Sequence, residues 1–429
     1  MTEPWRLTAA QASVAIGDGS LSAEALVRSC LERIQERDGT VKAWAWVDPD
    51  QAIRDARVLD KTARIGPMHG VPVGIKDMIN TRDMPTQHNS PIYIGHRPGE
   101  DAAVVSLLRS GGALILGKTE THEFAAGGRL PATRNPFDAT RTAGGSSAGS
   151  AAAVGDSMVP LALGTQTAGS TIRPASFCGT YAMKPTHGTV NREGAKIYSV
   201  TLDTIGWFGR SVADLGLLAD LFACDRAPWQ AREGVKGMRI GLCRTPYWDS
   251  AEPGSKAAVE GAAAALSAAG AIVTALDLPD DFGRMNDVQA VIMRGEGRAA
   301  FLPEYRAAFE LLARDFRDRV EDVDNITPQR LAEALDFATR LRPEWDRIAG
   351  DFDAVLTPSA IGEAPVTTTS TGDPMFSRMW TTLHAPCITI PAAKGPAAMP
   401  IGVQLVGARY SDARLLGTAA AVAACLIPA

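Results

Sequence analysis

Two glycine- and serine-rich loops on either side of one short apolar run constrain this chain more than any other feature. The loops are residues 144–150 (GGSSAGS) and 165–174 (TQTAGSTIRP), and the apolar run is residues 158–163. Small residues at this density cannot build a core, but they let a ligand approach the main chain closely. Ser170 follows three backbone amides that could hold a developing oxyanion. Either loop alone could be an ordinary flexible turn, whereas the pair indicates an active site.

Bulk properties exclude several classes of protein. The 429 residues are 45% hydrophobic and 21% charged, which is typical of a globular chain with one large core or two domains. The net charge of −5, without a dense Lys/Arg run, gives no support for a nucleic-acid or membrane partner. No apolar stretch reaches about 18 residues, and the first residues lack the pattern of a signal peptide. We therefore expect a cytoplasmic protein.

Cysteine and histidine usage predicts neither a metal nor another cofactor. No C-x-x-C pair and no metal-binding histidine spacing such as H-E-x-x-H occurs. Isolated cysteines in apolar contexts are usually small buried side chains, and a reduced compartment suits them. The cysteines are Cys30, Cys178, Cys224, Cys243, Cys387 and Cys425.

From residue 71 onward, short apolar strands alternate with helical segments. This alternation predicts an α/β fold whose sheet is covered by helices on both faces. Strands are predicted at 71–75, 113–116, 159–163, 239–243, 271–275, 354–356, 387–390 and 402–406. Helices are predicted at 101–109, 214–223, 256–268 and 413–424.

The N-terminal residues follow helical spacing, with Thr8 and Ser22 as N-cap candidates. The charged stretch 284–346 predicts outer helices, as an insertion or a cap over the site. No linker divides the chain, so we expect one domain. Its parts would be a helical segment 1–65, a catalytic core 66–225 and a C-terminal part 226–429 that completes the sheet and caps the site.

Lys76 ends the strand-like segment 70–77 (GVPVGIKD). With period-2 alternation, Lys76 shares a face with Gly74, which leaves space beside it. An ammonium group inside a sheet is costly unless it loses its proton, and a neutral lysine is a competent general base. The alternative is a lysine at a strand end that reaches water, as most lysines do. The strand alone leaves both interpretations open.

Three familiar motifs fit this chain poorly. Residues 112–119 match G-x-x-x-x-G-K-[ST], but here the middle residues are the strand, so the match to a phosphate loop is accidental. Residues 145–149 match G-x-S-x-G and would make Ser147 an α/β-hydrolase nucleophile, with His187 or His384 as partner. Neither histidine lies in a recognisable loop signature. An S-x-x-K motif is absent, because Val73 precedes Lys76 by three positions.

Several segments, in this order and spacing, resemble the amidase signature family. They are GVPVGIKD (70–77), GKT (117–119), TRNP (133–136), the block 144–174, CG (178–179), KPTHG (184–188), DTIG (203–206), PC (386–387) and GVQLVG (402–407). The resemblance implies a large, twisted, mixed sheet. It also implies an amidohydrolase that converts a small linear amide into a carboxylic acid and ammonia or an amine. Family members often form homodimers, although nothing in this sequence marks an interface.

The resemblance also implies a Ser-cis-Ser-Lys mechanism. Ser170 would be the nucleophile, Ser146 on a cis peptide would relay its proton, and Lys76 would accept it. Ser170 would carry the acyl group until water attacks it. The oxyanion hole would consist of the backbone N–H groups of Thr167, Ala168, Gly169 and Ser170.

Near Ser170, this sequence departs from the family pattern at two positions and carries one further feature. Many family members carry Asp where this chain has Gln166, and Ala168 replaces a glycine, which is tolerable if its φ is negative. Arg173 with Pro174 resembles malonamidase-like short-chain amidases, in which this arginine holds a substrate carboxylate. Three residues span at most about 10 Å, so Arg173 can reach a short acyl group on Ser170. Pairing with a protein carboxylate to fix the loop is the alternative.

Two other functions remain open at this point. The A subunit of an aminoacyl-tRNA amidotransferase shares the site but passes ammonia to a partner-bound substrate. A catalytically silent binding protein on the same fold is the other. Pocket residues are expected from segments 88–96, 122–134, 284–306 and 370–385.

Overall fold

The computed structural model describes residues 3–427, through which one sheet of 11 strands runs. The strands are β1 (Trp44–Val47), β2 (Pro72–Lys76), β3 (Leu114–Thr119), β4 (Leu161–Gln166), β5 (Tyr181–Lys184), β6 (Thr204–Gly209), β7 (Arg239–Leu242), β8 (Ile272–Ala275), β9 (Ala354–Pro358), β10 (Cys387–Lys394) and β11 (Pro400–Val406). Their order across the sheet is β1-β3-β2-β4-β6-β5-β10-β11-β9-β7-β8.

Thirteen α-helices lie within the same residues. They are α1 (Ala9–Gly17), α2 (Ala23–Val41), α3 (Pro49–Asp60), α4 (Ala103–Ser110), α5 (Ala148–Gly155), α6 (Ile172–Phe177), α7 (Val212–Leu221), α8 (Pro253–Ala268), α9 (Met285–Ala307), α10 (Arg314–Val320), α11 (Pro328–Gly350), α12 (Met375–Thr382) and α13 (Asp412–Leu426). Thr8 and Ser22 cap α1 and α2, as their positions predict.

The sheet is mixed, and apolar residues on both of its faces are buried. β2 runs parallel to β3 and β4, whereas β4, β6, β5, β10, β11 and β9 are successively antiparallel. On β4, Leu161 and Leu163 join the cluster that includes α7 and α13, while Ala162 faces α5. The predicted α/β architecture, with helices on both faces, is confirmed.

The predicted strands all occur, but three further strands were not predicted. β1 lies inside the segment 1–65, so that segment is not helical throughout. β5 and β6 are the other two. β1 has only four residues, and glycines interrupt the apolar pattern of β6, so neither has a clear periodic signal.

The sheet places the chemistry-bearing residues at one edge. β2 and β4 are parallel neighbours in the register Gly74↔Ala162 and Ile75↔Leu163, so their carboxyl ends lie together. Lys76 on β2 therefore reaches Thr165 on β4. A side chain at Gly74 would approach the ring of Trp44 at 3.2 Å, which explains the glycine beside Lys76.

Segment 284–346 forms helices, as predicted. α9 and α11 bury apolar residues against α12 and against strands β9, β10 and β11. Residues 117–119 belong to β3, which agrees with the conclusion that the phosphate-loop match is accidental. Five of the six cysteines are buried, and Cys425 is half-buried. Among residues 3–427, no helix is both long and apolar enough to cross a membrane.

A glycine on α5 allows this helix to touch the main chain beneath it. A Cβ at Gly149 would lie 2.2 Å from Ala43 O and 2.3 Å from Glu120 N. Gly149→Ala should therefore lower the free energy of unfolding by about 1–3 kcal/mol, the range typical of overpacking. Gly261→Ala on α8, where a Cβ meets nothing within 4 Å, should raise it by about 0.5–1 kcal/mol. Denaturant unfolding followed by tryptophan fluorescence measures both. Equal effects would contradict the close contact at Gly149.

Candidate active site

The amine of Lys76 lies at the end of β2 among three hydroxyl groups. Its Nζ is 2.7 Å from Ser146 Oγ, 3.0 Å from Ser147 Oγ and 2.7 Å from Thr165 Oγ1. The side chain is fully buried, and all three of these partners are neutral. Burial lowers the pKa of Lys76 to about 7, and the nearby Asp203 carboxylate opposes that shift. A large share of Lys76 is therefore uncharged at neutral pH.

The hydrogen bonds around Lys76 distinguish its two serine partners. Ser147 Oγ donates to Thr165 O and accepts from Thr165 N, both at 3.2 Å, so it can only accept from Lys76. A neutral amine has two N–H donors and one lone pair, and the lone pair needs a hydroxyl proton. Ser146 Oγ is bonded to Lys76, and Ser146 also lines the cavity described below. Ser146 is thus the serine that can donate to the lysine lone pair.

The main chain around Ser146 is fixed on both sides. A cis peptide bond joins Gly145 to Ser146. Ser146 O accepts hydrogen bonds from His122 N and Thr121 Oγ1, both at 3.2 Å. Gly145 O accepts from Arg173 Nη2 at 2.7 Å. These contacts hold the hydroxyl of Ser146 against Lys76.

The loop between β4 and α6 carries Ser170 and four unpaired backbone N–H groups. Ser170 is 8% exposed and lines the same cavity as Ser146. Within the described residues, the N–H groups of Thr167, Ala168, Gly169 and Ser170 donate to no protein acceptor. Free N–H groups beside a hydroxyl are the arrangement that stabilises a developing oxyanion.

Three distant parts of the chain hold this loop. Gln289 Nε2 on α9 donates to Thr167 O at 3.1 Å, and Thr381 Oγ1 on α12 donates to Ala168 O at 2.8 Å. Thr167 Oγ1 donates to the buried Asp203 Oδ1 at 2.5 Å. With the carbonyl groups held in this way, the neighbouring N–H groups have fixed directions.

Gln166 is suited to its position because it both donates and accepts. Its Oε1 accepts from Thr171 N at 2.9 Å and Ile172 N at 3.1 Å, at the start of α6. Its Nε2 donates to Thr381 Oγ1 at 2.9 Å. A carboxylate could accept the first two bonds but could not donate the third. Gln166 therefore links the start of α6 to α12 without adding a charge.

Backbone conformation explains why position 168 can be alanine, and a close contact explains why position 169 is glycine. Ala168 is not among the residues with positive φ, so alanine is tolerated there. A Cβ at Gly169 would lie 2.8 Å from Pro374 Cβ and 3.0 Å from Ser377 Cβ. Only glycine lets the loop approach α12 this closely.

The cavity at Ser170 has a volume of about 150 Å³. Its walls are His122, Ala125, Ala126, Ser146, Thr167, Ala168, Ser170, Arg173, Tyr198, Met293, Thr371, Gly372, Pro374 and Arg378. The predicted segments 122–134, 284–306 and 370–385 thus contribute to the wall, whereas 88–96 does not.

Arg173 is buried and lines the same cavity as Ser170. Its Nε donates to Thr371 O at 2.9 Å and its Nη2 to Gly145 O, while Nη1 is buried and has no partner within residues 3–427. No carboxylate in this part of the chain forms an ion pair with it. Burial lowers its pKa to about 10, and Arg378 adds to the effect while Asp373 opposes it. The interpretation of Arg173 as half of an internal ion pair is therefore not supported.

Sequence reasoning missed several residues of the site. Thr165 and Ser147 contact Lys76 but belong to no motif that predicts such a contact. Tyr198 lines the cavity with a buried hydroxyl that has no partner in the described chain. Arg378 lines the cavity from α12, about 200 positions along the chain from Ser170. No local pattern could have indicated Tyr198 or Arg378.

The alternative that makes Ser147 the nucleophile receives no support from this geometry. Ser147 is fully buried and does not line the cavity. His187 and His384 stack on each other with ring centroids 4.1 Å apart, and neither lines the cavity. His384 Nε2 is 2.8 Å from Thr201 O. These two histidines therefore pack against each other outside the cavity and offer Ser147 no partner there.

Comparison with known proteins gives a family match over most of the chain. The family model described as Amidase matches residues 25–416. The A subunit of a glutamyl-tRNA(Gln) amidotransferase from Chloroflexus aurantiacus is 32% identical over 466 aligned positions, which cover 97% of this chain and 96% of that protein.

Two solved structures illustrate the structural likeness. The crystal structure of an amidase has a TM-score of 0.88 and 28% identity, over 98% of this chain and all of the other. The native peptide amidase from Stenotrophomonas maltophilia has a TM-score of 0.82 and 28% identity, over 97% of this chain and 96% of that one.

Covalent labelling of Ser170 tests this site without assuming a substrate. A fluorophosphonate probe should modify Ser170, because neutral Lys76 can accept the proton. With a Lys76 pKa of about 7, the base is available above that pH and lost below it, so the labelling rate should rise with pH through about 7. Lys76→Ala should slow labelling by roughly 10²-fold or more. Peptide mapping by mass spectrometry locates the adduct. An adduct on Ser147, or a rate that is constant between pH 5 and 9, would contradict the assignment.

Proposed function

Because this chain belongs to the amidase family, we propose that it hydrolyses the C–N bond of a small amide through an acyl-enzyme on Ser170. The products would be a carboxylic acid and ammonia or an amine. The observation that carries this proposal is the buried Lys76, bonded to Ser146 in the wall of the cavity that Ser170 also lines. Such a base next to a hydroxyl matches what an activated serine nucleophile needs.

The reaction would begin with proton transfer along the two serines. Ser170 Oγ attacks the amide carbon while its proton passes to Ser146 Oγ and the proton of Ser146 passes to Lys76 Nζ. The carbonyl oxygen becomes an oxyanion, which the N–H groups of residues 167–170 stabilise. The relay then runs in reverse, so that Lys76 returns a proton through Ser146 to the leaving nitrogen as the C–N bond breaks.

Deacylation would use the same groups. Water enters the position that the amine has left, and Ser146 and Lys76 take its proton as it attacks the acyl carbon. Collapse of the second tetrahedral intermediate breaks the bond to Ser170 Oγ, which takes back a proton from Lys76 through Ser146, and the acid is released. Both half-reactions need Lys76 neutral at the start, which its pKa of about 7 allows at neutral pH.

The cavity favours a short substrate that carries a carboxylate. Pockets for drug-sized ligands are about 300–1,000 Å³, whereas this cavity is about 150 Å³. The unpaired Nη1 of Arg173 offers a charged donor beside the nucleophile, and no protein carboxylate in the described chain pairs with it. A carboxylate on the acyl group would supply the missing acceptor.

A second candidate function is that of an aminoacyl-tRNA amidotransferase, in which this chain would be the A subunit. The glutamyl-tRNA(Gln) amidotransferase relative, similar over 97% of this chain, is the observation that favours it. In that case ammonia released at Ser170 would pass to a substrate held by a partner. Gln166 and the alanine-rich C-terminal third argue mildly for the simple hydrolase. Ammonia release by the purified chain alone, without partner proteins, separates the two.

Substitution of the three proposed catalytic residues should remove turnover. Ser170→Ala and Lys76→Ala should lower kcat by about 10³-fold or more, and Ser146→Ala should leave little activity, because the residues act as one relay. Ser106→Ala, an exposed serine on α4, is the control and should retain full activity. Ammonia release measures the rate. Activity equal to wild type in the Ser170 or Lys76 variant would refute the mechanism.

The role of Arg173 predicts a preference between two short amides. Malonamate and propionamide differ in a carboxylate, so wild type should release ammonia faster from malonamate. Arg173→Ala should raise KM for malonamate about 10-fold or more, the effect of losing one charge-assisted pair, and change KM for propionamide little. Equal changes for both substrates would assign Arg173 a structural role only.

A further inference from the structure

A second arginine, on α12, faces the cavity that Arg173 lines. Arg378 belongs to the cavity wall, and its side chain is 31% exposed. Its Nε is nevertheless buried and has no hydrogen-bond partner within residues 3–427. Its ion-pair partner is Asp373, which approaches Nη2 at 3.7 Å and is itself 44% exposed. That pair leaves Nε free.

Two guanidinium groups therefore offer unused donors in one small space. Arg173 is 4% exposed, and its Nη1 is buried without a partner, like Nε of Arg378. A buried donor without an acceptor costs roughly 1–3 kcal/mol, more when it is charged, so native structures rarely keep one without a reason. The two cations also repel each other. A bound anion between the two guanidinium groups would offset this repulsion.

The net charge around the cavity indicates how much negative charge a bound anion should carry. Its wall contains Arg173 and Arg378 and no carboxylate. Asp373, beside Arg378, offsets one of the two positive charges. His122 is neutral near pH 7, since burial lowers its pKa to about 4. A surplus of one positive charge fits a single carboxylate better than a dianion such as a phosphate monoester.

We propose that Arg378 is a substrate-binding residue that, with Arg173, holds the carboxylate of a short amide substrate. The proposal rests on the proposed function, because it names a second recognition group for the same substrate. The carboxylate lies between the guanidinium groups of Arg173 and Arg378, which line the same cavity. Asp373 competes with the carboxylate for Arg378 and limits the charge that the site accepts.

Equilibrium binding tests this without turnover. Malonamate and the neutral propionamide are titrated calorimetrically into the Ser170→Ala protein and into the same protein with Arg378→Gln. Arg378→Gln should weaken malonamate binding about tenfold and leave propionamide binding within twofold. Arg340→Gln, an exposed arginine paired with Asp281 on the outer surface, is the matched control and should change neither.

Asp373→Asn provides a test with the opposite sign. Removal of the competing carboxylate should strengthen malonamate binding about two- to threefold, while propionamide binding stays unchanged. Thermal unfolding of each variant shows whether the fold is retained.

Each outcome decides between interpretations. Unchanged malonamate affinity in Arg378→Gln, or an equal loss for both ligands, would overturn the proposal, as would equal affinity of the Ser170→Ala protein for malonamate and propionamide. Charge-selective binding that depends on Arg378 in a protein that hydrolyses neither amide would keep the anion site and refute the proposed hydrolase. Hydrolysis that depends on Ser170, together with malonamate binding that Arg378→Gln does not change, would keep the proposed hydrolase and refute the anion site.

Discussion

The desolvation of Lys76 is the constraint on which the rest of the site depends. A lysine at a strand end usually reaches water, but here the end of β2 is covered by α5 and the loops that surround the cavity. Its hydrogen-bond partners are hydroxyl groups, and the nearby Asp203 carboxylate compensates its positive charge only in part, because burial still lowers the pKa. The protein thus keeps a base whose proton affinity is matched to neutral pH. Gly74, Gly145 and Gly149 have no side chain, so neighbouring segments of the chain can pack closely around the site.

The second requirement is a fixed loop between β4 and α6. Its carbonyl groups accept hydrogen bonds from distant helices, while its N–H groups have no protein acceptor in the described chain. The loop between β4 and α6 is hydrogen-bonded through Thr167 O and Ala168 O to α9 and α12, which come from the C-terminal part of the chain. Gln166 joins the same α12 to the start of α6. The outer helices that cover the cavity are therefore also the supports of the loop. Substrate recognition by Arg378 and support of the loop by Thr381 come from neighbouring turns of one helix.

The sequence predicts those parts of the fold and of the site that depend on a local pattern of residues. The alternation in residues 70–77 correctly places Lys76 on the face of Gly74, because strand geometry fixes sidedness. Loop composition predicts where Ser146 and Ser170 lie, since only small residues permit such turns. Partners that come from distant segments have no such signal. Tyr198 and Arg378 reach the cavity through tertiary packing, and β1 is too short for its period to be recognised.

The way the loop is supported has a consequence for how the chain acquires its active form. Thr381 is 215 positions from Gln166, and Gln289 is 122 positions from Thr167. In the sheet, β5 pairs with β10, which follows it by roughly 200 residues. Contacts of such long sequence separation form slowly, because closure of the intervening chain costs entropy before the contacts repay it. The stretch that contains Lys76, Ser146 and Ser170 is synthesised early, yet its geometry is completed only when the last third of the chain docks.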